Sequence, residues 1–344
     1  MQLLILGGGV FLGAHTLDAA LANGHAVTVF NRGRVRSVWP AGVEVLTGDR
    51  VADLAVLAGR RWDAVIDTCG YTPAELQASA EALRDACACY LFVSSVSAYA
   101  DASESMTAED HPLASFAGIA RDDRDMCHYG PQKAACEAEV MRVFGPRALI
   151  VRPGLIVGPG DRSGRFSLWV WRAAAGGTML VPDVPNDKAL QFIDVRDLAG
   201  WMVHLLEAGT RGALNGSGPV GGVGIDAHIG WDTLVDACRA AAIAHRMPVA
   251  DAVRVGEAFL LQRKVQPWSE LPLWLPSIDP EYAGFNRDLR RAAAAGLRTR
   301  PLHETIAAVL EEGVPPADDK RRAGKLTRER ESELLAAWSA ATKV

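Results

Sequence analysis

One helical turn separates two side chains that can move a proton together. In "HYGPQKAACE", Tyr129 and Lys133 stand at the head of a stretch with helical character, and residues four apart project from one helix face. A phenol near pKa ~10 is a poor base at neutral pH, but an adjacent ammonium favours the phenolate. Upstream, "YLFVSSVSAY" closes an apolar run with the hydroxyls of Ser94, Ser95 and Ser97. A serine can hold a substrate oxygen while the tyrosine gives or takes its proton. A lone Y-x-x-x-K also arises by chance as an exposed helical pair, so its surroundings must decide.

The first of those surroundings is "LILGGGVFLG" near the start of the chain. An apolar run breaks into glycines and leads into a helical pattern, the context a dinucleotide-binding turn requires. Glycines let the pyrophosphate approach the backbone, and the helix N-terminus receives its charge. Neither usual register is complete: Leu12 stands at one expected glycine and Val10 at the other. The expected contacts are Gly7, Gly9, Val10, Phe11, Leu12 and Gly13; the plain alternative is a tight strand-to-helix corner. The next strand ends in "AVTVFNRGR", where an NAD-binding chain usually carries a carboxylate. Asn31, Arg32 and Arg34 stand there instead, suiting a 2′-phosphate and hence NADP(H), with NAD(H) as the second choice. A solvated basic loop is the competing reading. "GDR" after the third strand puts Asp49 near an adenine amino group with Arg50 beside it. Thr68 and Cys69 close the fourth strand, and Ser94 the fifth, on the same side.

These groups need a common scaffold. "QLLIL", "AVTVF", "VEVLTG", "DAVIDTC", "CYLFVSS" and "RALIVRP" read as strands, and helical stretches such as "TPAELQASAEALRDA" lie between them. Continuous apolar strands alternating with helices indicate βαβ units and a parallel sheet covered on both faces. The fold class is therefore α/β, a doubly wound parallel sheet (Rossmann) with its crevice at the strands' carboxyl ends. Residues 1–152 form the expected dinucleotide-binding domain, to which about 188–215 return. Residues 153–313, rich in glycine, proline and tryptophan, read as a smaller irregular substrate lobe. Residues 314–344 read as a linker and a terminal helix capped by Thr327.

At this point the chain resembles the extended short-chain dehydrogenase/reductases, the group containing nucleotide-sugar epimerases and dehydratases. The glycine turn, "DTCGY", "FVSSVSAY", "YGPQK" and "VRPGLIVGPGD" fall in that family's order over roughly residues 1–310. The resemblance implies that Tyr129 is the catalytic acid/base and that Lys133 holds the nicotinamide ribose and lowers the tyrosine pKa. It makes Ser95 the substrate-oxygen donor, four residues before Tyr99, and it brings the segment after Pro153 past the nicotinamide. It also implies dimerisation through helices that include the Tyr/Lys helix. Some members with a G-G-x-x-F-L-G turn accept a side chain where Val10 stands. The Asp-Glu pair of sugar 4,6-dehydratases is replaced here by Val96 and Ser97, which argues against that chemistry.

The expected function is NADP(H)-dependent hydride transfer to or from a carbonyl or secondary alcohol of a small molecule. A nucleotide-sugar epimerase with tightly held cofactor is the alternative, and a non-catalytic nucleotide-sensing or RNA-binding scaffold is the alternative from another class. With 344 residues, 49% of them hydrophobic, and a net charge of −5, the chain has neither the basic balance of a nucleic-acid binder nor an apolar run of the ~20 residues that a membrane span needs. It opens on its first strand, so a cytoplasmic protein without a leader is expected. Six cysteines without paired spacing read as reduced thiols, and the scattered histidines predict no metal site. The "WVW" at 169–171, Trp268 and Trp274 are candidates for a substrate wall, with core packing as the alternative. Asp194 and Asp197 are expected to start a helix with Arg196 in an ion pair, and Gln191 to face the substrate.

Overall fold

A computed structural model describes residues 1–101, 106–220, 229–279, 286–316 and 318–342. Positions 221–224 of the glycine-rich stretch, 280–285 of the tryptophan- and proline-rich one, and 317 of the linker lie outside them.

Seven strands form one parallel sheet: β1 (Gln2–Leu6), β2 (Ala26–Asn31), β3 (Glu44–Thr47), β4 (Trp62–Asp67), β5 (Cys87–Val93), β6 (Ala148–Pro153) and, after three strands of the smaller lobe, β10 (Gly212–Gly216). Those three are β7 (Leu155–Val157), β8 (Thr178–Asp183) and β9 (Phe192–Asp194). The order across the sheet is β10-β6-β5-β4-β1-β2-β3. It reverses beside β1, which pairs in parallel with both β2 and β4. This is the switch point of a doubly wound sheet, where a ligand crevice opens at the carboxyl ends of the strands.

The alternation along each strand explains the two-sided burial. Leu3 and Ile5 of β1 pack into one apolar layer, and Leu4 and Leu6 into another. Helices α1 (Phe11–Ala22) and α5 (Val195–Glu207) pack together against the sheet on the first layer's side. On the other side lie α2 (Pro73–Leu83) and α3 (Tyr129–Phe144), also packed on each other. Helix α2 starts on a capping box: the Thr72 hydroxyl accepts from the Glu75 amide at 3.3 Å while the Glu75 carboxylate accepts from the Thr72 amide at 3.2 Å.

The smaller lobe has its own core. Helices α4 (Ser167–Ala173), α6 (Trp231–Ala244) and α9 (Leu302–Glu311) pack with the parallel pair β8 and β11 (Asp251–Gly256). Helices α7 (Glu257–Gln262), α8 (Arg290–Ala294) and α10 (Arg328–Ala341) complete the fold. Trp169, Trp171 and Trp274 are fully buried in this core, with Trp169 edge-on to Trp231 at 4.8 Å. Of the aromatic residues considered for a substrate wall, these three are core packing. Asp194 accepts from the Arg196 amide at the head of α5 and pairs with its guanidinium at 2.7 Å, whereas Asp197 pairs with Arg300 at 2.8 Å. Gln191 is clamped at both ends to the backbone of Arg287, so its amide is spent on the fold. Thr327 caps α10 by accepting from the Arg330 amide at 3.2 Å. Among the described residues no helix is long and apolar enough to cross a membrane.

Candidate active site

The glycine turn lies between β1 and α1, and its backbone explains which positions need glycine. Gly7 (φ +111°) and Gly8 (φ +74°) occupy the left-handed region, which only glycine enters without strain. Val10 is extended, φ −147° and ψ 157°, a conformation any residue adopts, and its side chain is exposed. The valine that broke the expected register therefore costs the turn nothing. It offers no capping side chain either, so the amides at the head of α1 remain available to an anion. Gly13 serves packing: a Cβ there would come 2.7 Å from the Gly8 nitrogen and 3.1 Å from Thr68 Oγ1. At Gly9 an added Cβ would meet nothing within 4 Å. Gly13→Ala is accordingly expected to destabilise the protein by about 1–3 kcal/mol, measured by chemical denaturation. Gly9→Ala is expected to leave the denaturation midpoint unchanged; equal losses in both variants would contradict this account of the turn.

The turn borders two adjoining clefts. The first, of about 1180 Å³, is lined by Gly7, Gly9, Val10, Asn31, Arg32, Asp49, Arg50 and Cys69, together with Arg34, Arg36, Tyr71 and Arg124. The second, of about 850 Å³, is lined by Gly7–Gly13, Thr68, Cys69, Tyr71, Ser94, Ser95, Tyr129, Lys133 and Pro153. The residues expected to bind the cofactor and the Ser95/Tyr129/Lys133 set thus each border one cleft or the other, and Gly7, Gly9, Val10, Cys69 and Tyr71 border both.

Their roles differ within that setting. Asn31 accepts from the Gly33 amide at 2.7 Å, and its Nδ2 is buried without a partner, a donor suited to a ligand oxygen. Asp49 accepts from the Val51 amide at 2.9 Å, which holds its carboxyl below the usual range. Arg50 borders the cleft, but its guanidinium reaches beneath it. It grips Asp67 at 2.9 and 2.7 Å and donates to Ser79 at 2.7 Å, and only Nε lacks a partner. Burial pushes the Cys69 thiol up to about 11, so it stays neutral. Thr68 Oγ1 donates to the Leu6 carbonyl at 3.0 Å.

At the other end, α3 begins on Tyr129 itself, with Pro131 tolerated in its first turn. Gly130 lets that turn seat on the Ser95–Ala98 corner, since a Cβ would fall 2.3 Å from the Ser97 carbonyl oxygen. This contact brings serine and tyrosine together, and the glycine after the tyrosine is its trace in the sequence. Burial raises the Tyr129 pKa above its ordinary value, and the nearby Ser95 hydroxyl draws it partly back. Lys133 is buried, which lowers its pKa, and its Nζ donates to the carbonyls of Gly70 and Val93 at 2.8 and 2.9 Å. The ammonium sits 5.9 Å from the Tyr129 ring centre. Burial is the largest influence on the Tyr129 pKa and outweighs those that lower it. Ser94 spends its hydroxyl on Glu137 at 2.5 Å. Glu137, one turn beyond Lys133, forms a buried pair with Arg152 at 2.7 Å, bracing the end of β5 against β6.

Tyr71, which the sequence offered with Cys69 as a pocket-lining residue or simple packing, lies 5.1 Å from Lys133 Nζ, whereas sequence reasoning passed over Arg124, paired with Glu75 at 2.5 Å. Both come from loops without a periodic signal. It also passed over Arg165, whose charge reaches the Tyr129 phenol.

A doubly wound sheet with a glycine turn and a Ser/Tyr/Lys set in one crevice defines an enzyme of the short-chain dehydrogenase/reductase type. The model of the NAD dependent epimerase/dehydratase family matches residues 3–217, and the chain belongs to that family. The family is described as NAD dependent. No curated protein matches the chain. Among solved structures, the Bordetella bronchiseptica enzyme WbmH in complex with NAD+ is 17% identical, with 91% of this chain and 98% of that one covered and a TM-score of 0.63. UDP-glucose 4-epimerase from Thermotoga maritima, with UDP-glucose, is 15% identical over 90% and 98%, with a TM-score of 0.61. Human epimerase family protein SDR39U1 with NADPH is 20% identical over 91% and 100%, with a TM-score of 0.54. At these identities the likeness is one of fold.

Proposed function

We propose that the protein is an NADP(H)-dependent reductase of a small carbonyl compound, with Tyr129 as proton donor. The observation that carries the reading is the joining of the two clefts by the glycine turn, with arginines at one end and the half-buried Tyr129 phenol at the other. A reduced nicotinamide bound here would supply the hydride for the carbonyl carbon. The residues present fit it: uncapped amides at the head of α1 and the open space at Gly9 suit a pyrophosphate, and the unpartnered Asn31 Nδ2 suits a ribose or 2′-phosphate oxygen.

Ser95 donates to the substrate oxygen and aligns it with Tyr129. The phenol, kept protonated by burial, gives its proton as negative charge develops on that oxygen. Lys133 Nζ has two of its three protons committed to carbonyls, leaving one for a ribose hydroxyl. Arg32 and Arg34 are exposed at the end of β2, with Asp49 of the same cleft as a nearby counter-charge, and can reach a 2′-phosphate. An exposed rim of this kind favours a cofactor that exchanges over one retained through an epimerisation.

Fluorescence titration with NADPH and NADH tests the cofactor assignment. Arg32→Ala is expected to weaken NADPH by about ten- to hundredfold, the worth of a charge-assisted hydrogen bond, and to leave NADH unchanged. Equal affinities for the two cofactors in the wild type, or an unchanged ratio in the variant, would refute it.

A further inference from the structure

Lys133 carries an ammonium that is only 4% exposed, and its hydrogen bonds go to the carbonyls of Gly70 and Val93 rather than to a carboxylate. A charge so placed is costly unless its surroundings favour it. Two aromatic rings supply part of that favour. Nζ lies 4.8 Å from the centre of the Phe92 ring and 5.1 Å from that of Tyr71. An aromatic face attracts a cation, most strongly where water is excluded.

The two rings differ in their settings. Phe92 belongs to the apolar layer beneath the sheet, whereas Tyr71 is 49% exposed and borders both clefts. Tyr71 therefore stands where a dinucleotide running from Arg32 to Tyr129 has to pass. Its place is fixed by Glu75, whose carboxylate accepts from the Tyr71 amide at 3.0 Å as well as from Thr72 and Arg124. The capping box of α2 is thus also the mount of this ring.

We propose that Tyr71 is a positioning residue for Lys133, its ring face keeping the ammonium charged and directed into the cofactor cleft. The proposal rests on the reading of Lys133 as the ribose contact, and its test separates the two. The other ionisable groups that face the ammonium are known. Asp67 and Arg50 are bound to each other, and burial pushes the Cys69 and Cys136 thiols up to about 11 and about 12. Tyr129, whose ring centre is 5.9 Å away, is raised by burial as well. None of these changes its charge between about pH 7 and about pH 9, so an ionisation there belongs to Lys133.

Competitive labelling with acetic anhydride across pH, read by peptide mass spectrometry, measures the ionisation of Lys133 directly. Fluorescence titration gives NADPH and NADH affinities over the same range. Tyr71→Leu keeps an apolar cover but has no aromatic face, and is expected to lower the labelling midpoint by about one pH unit. Both cofactors should then bind about fivefold more weakly at the wild-type midpoint. Tyr71→Phe keeps the face and should match the wild type in both measurements. An unchanged midpoint in Tyr71→Leu overturns the proposal, as does an equal shift in Tyr71→Phe. A lowered midpoint that cofactor affinity does not follow would sink the ribose reading of Lys133 and leave the role of the ring standing.

Discussion

Tyr129→Phe is expected to lower kcat by about 10²–10⁴-fold, the usual worth of a positioned proton donor, without weakening NADPH. The change removes one oxygen from a ring that keeps its place between the Ser95 corner and Lys133. Because the lost interaction acts only as charge develops on the substrate oxygen, kcat and kcat/KM should fall together. The pH profile offers a second readout. The phenol is raised above its ordinary value, so carbonyl reduction by the wild type should stay level through neutral pH and fail only in strong alkali. Reverse oxidation, which needs the phenolate, should climb with pH over the same range. Turnover by Tyr129→Phe within a factor of ten of wild type would mean that another group supplies the proton.

Arg50→Met is expected to destabilise the protein by about 3–5 kcal/mol, because it leaves a buried carboxylate without its cation. Asp67 is wholly buried. Burial alone would raise its pKa, but Arg50, the Tyr90 hydroxyl at 2.7 Å and the Cys69 amide at 3.1 Å outweigh this and hold it low. In the wild type this carboxylate therefore contributes stability above the unfolded pKa, lost only as pH falls through the lower folded value. In the variant burial prevails and the folded pKa rises above the unfolded one, so the folded form gains protons as pH falls. The gap between wild type and variant should thus narrow from neutral pH toward about pH 5. Asp67→Asn in the Arg50→Met background should recover part of the loss. Urea denaturation at several pH values measures all three; a gap that does not change with pH would show that the pair is not the source.

The sequence made the sheet legible because its strands are buried on both faces and so read as unbroken apolar runs. Tyr129 and Lys133 were legible because helical spacing alone puts them on one side. Val10 looked like a defect until its extended backbone showed that no glycine was needed. Arg50 read as a ligand contact and does line the cleft, but nothing local reveals that Asp67, seventeen positions on, also claims its guanidinium. The burial that raises the tyrosine pKa was not legible, because it depends on the whole packing around the ring.

The seventh strand carries one more consequence. Because β10 takes the edge beside β6 only after α4 and the first strands of the smaller lobe have been made, the two parts of the molecule are interleaved along the chain. A polypeptide cut after β6 would present a bare row of amides and carbonyls on an apolar ribbon, an invitation to stray pairing between molecules. During synthesis the growing chain must pass through that unprotected stage, so the interval before residue 216 emerges is when this protein is most exposed to aggregation.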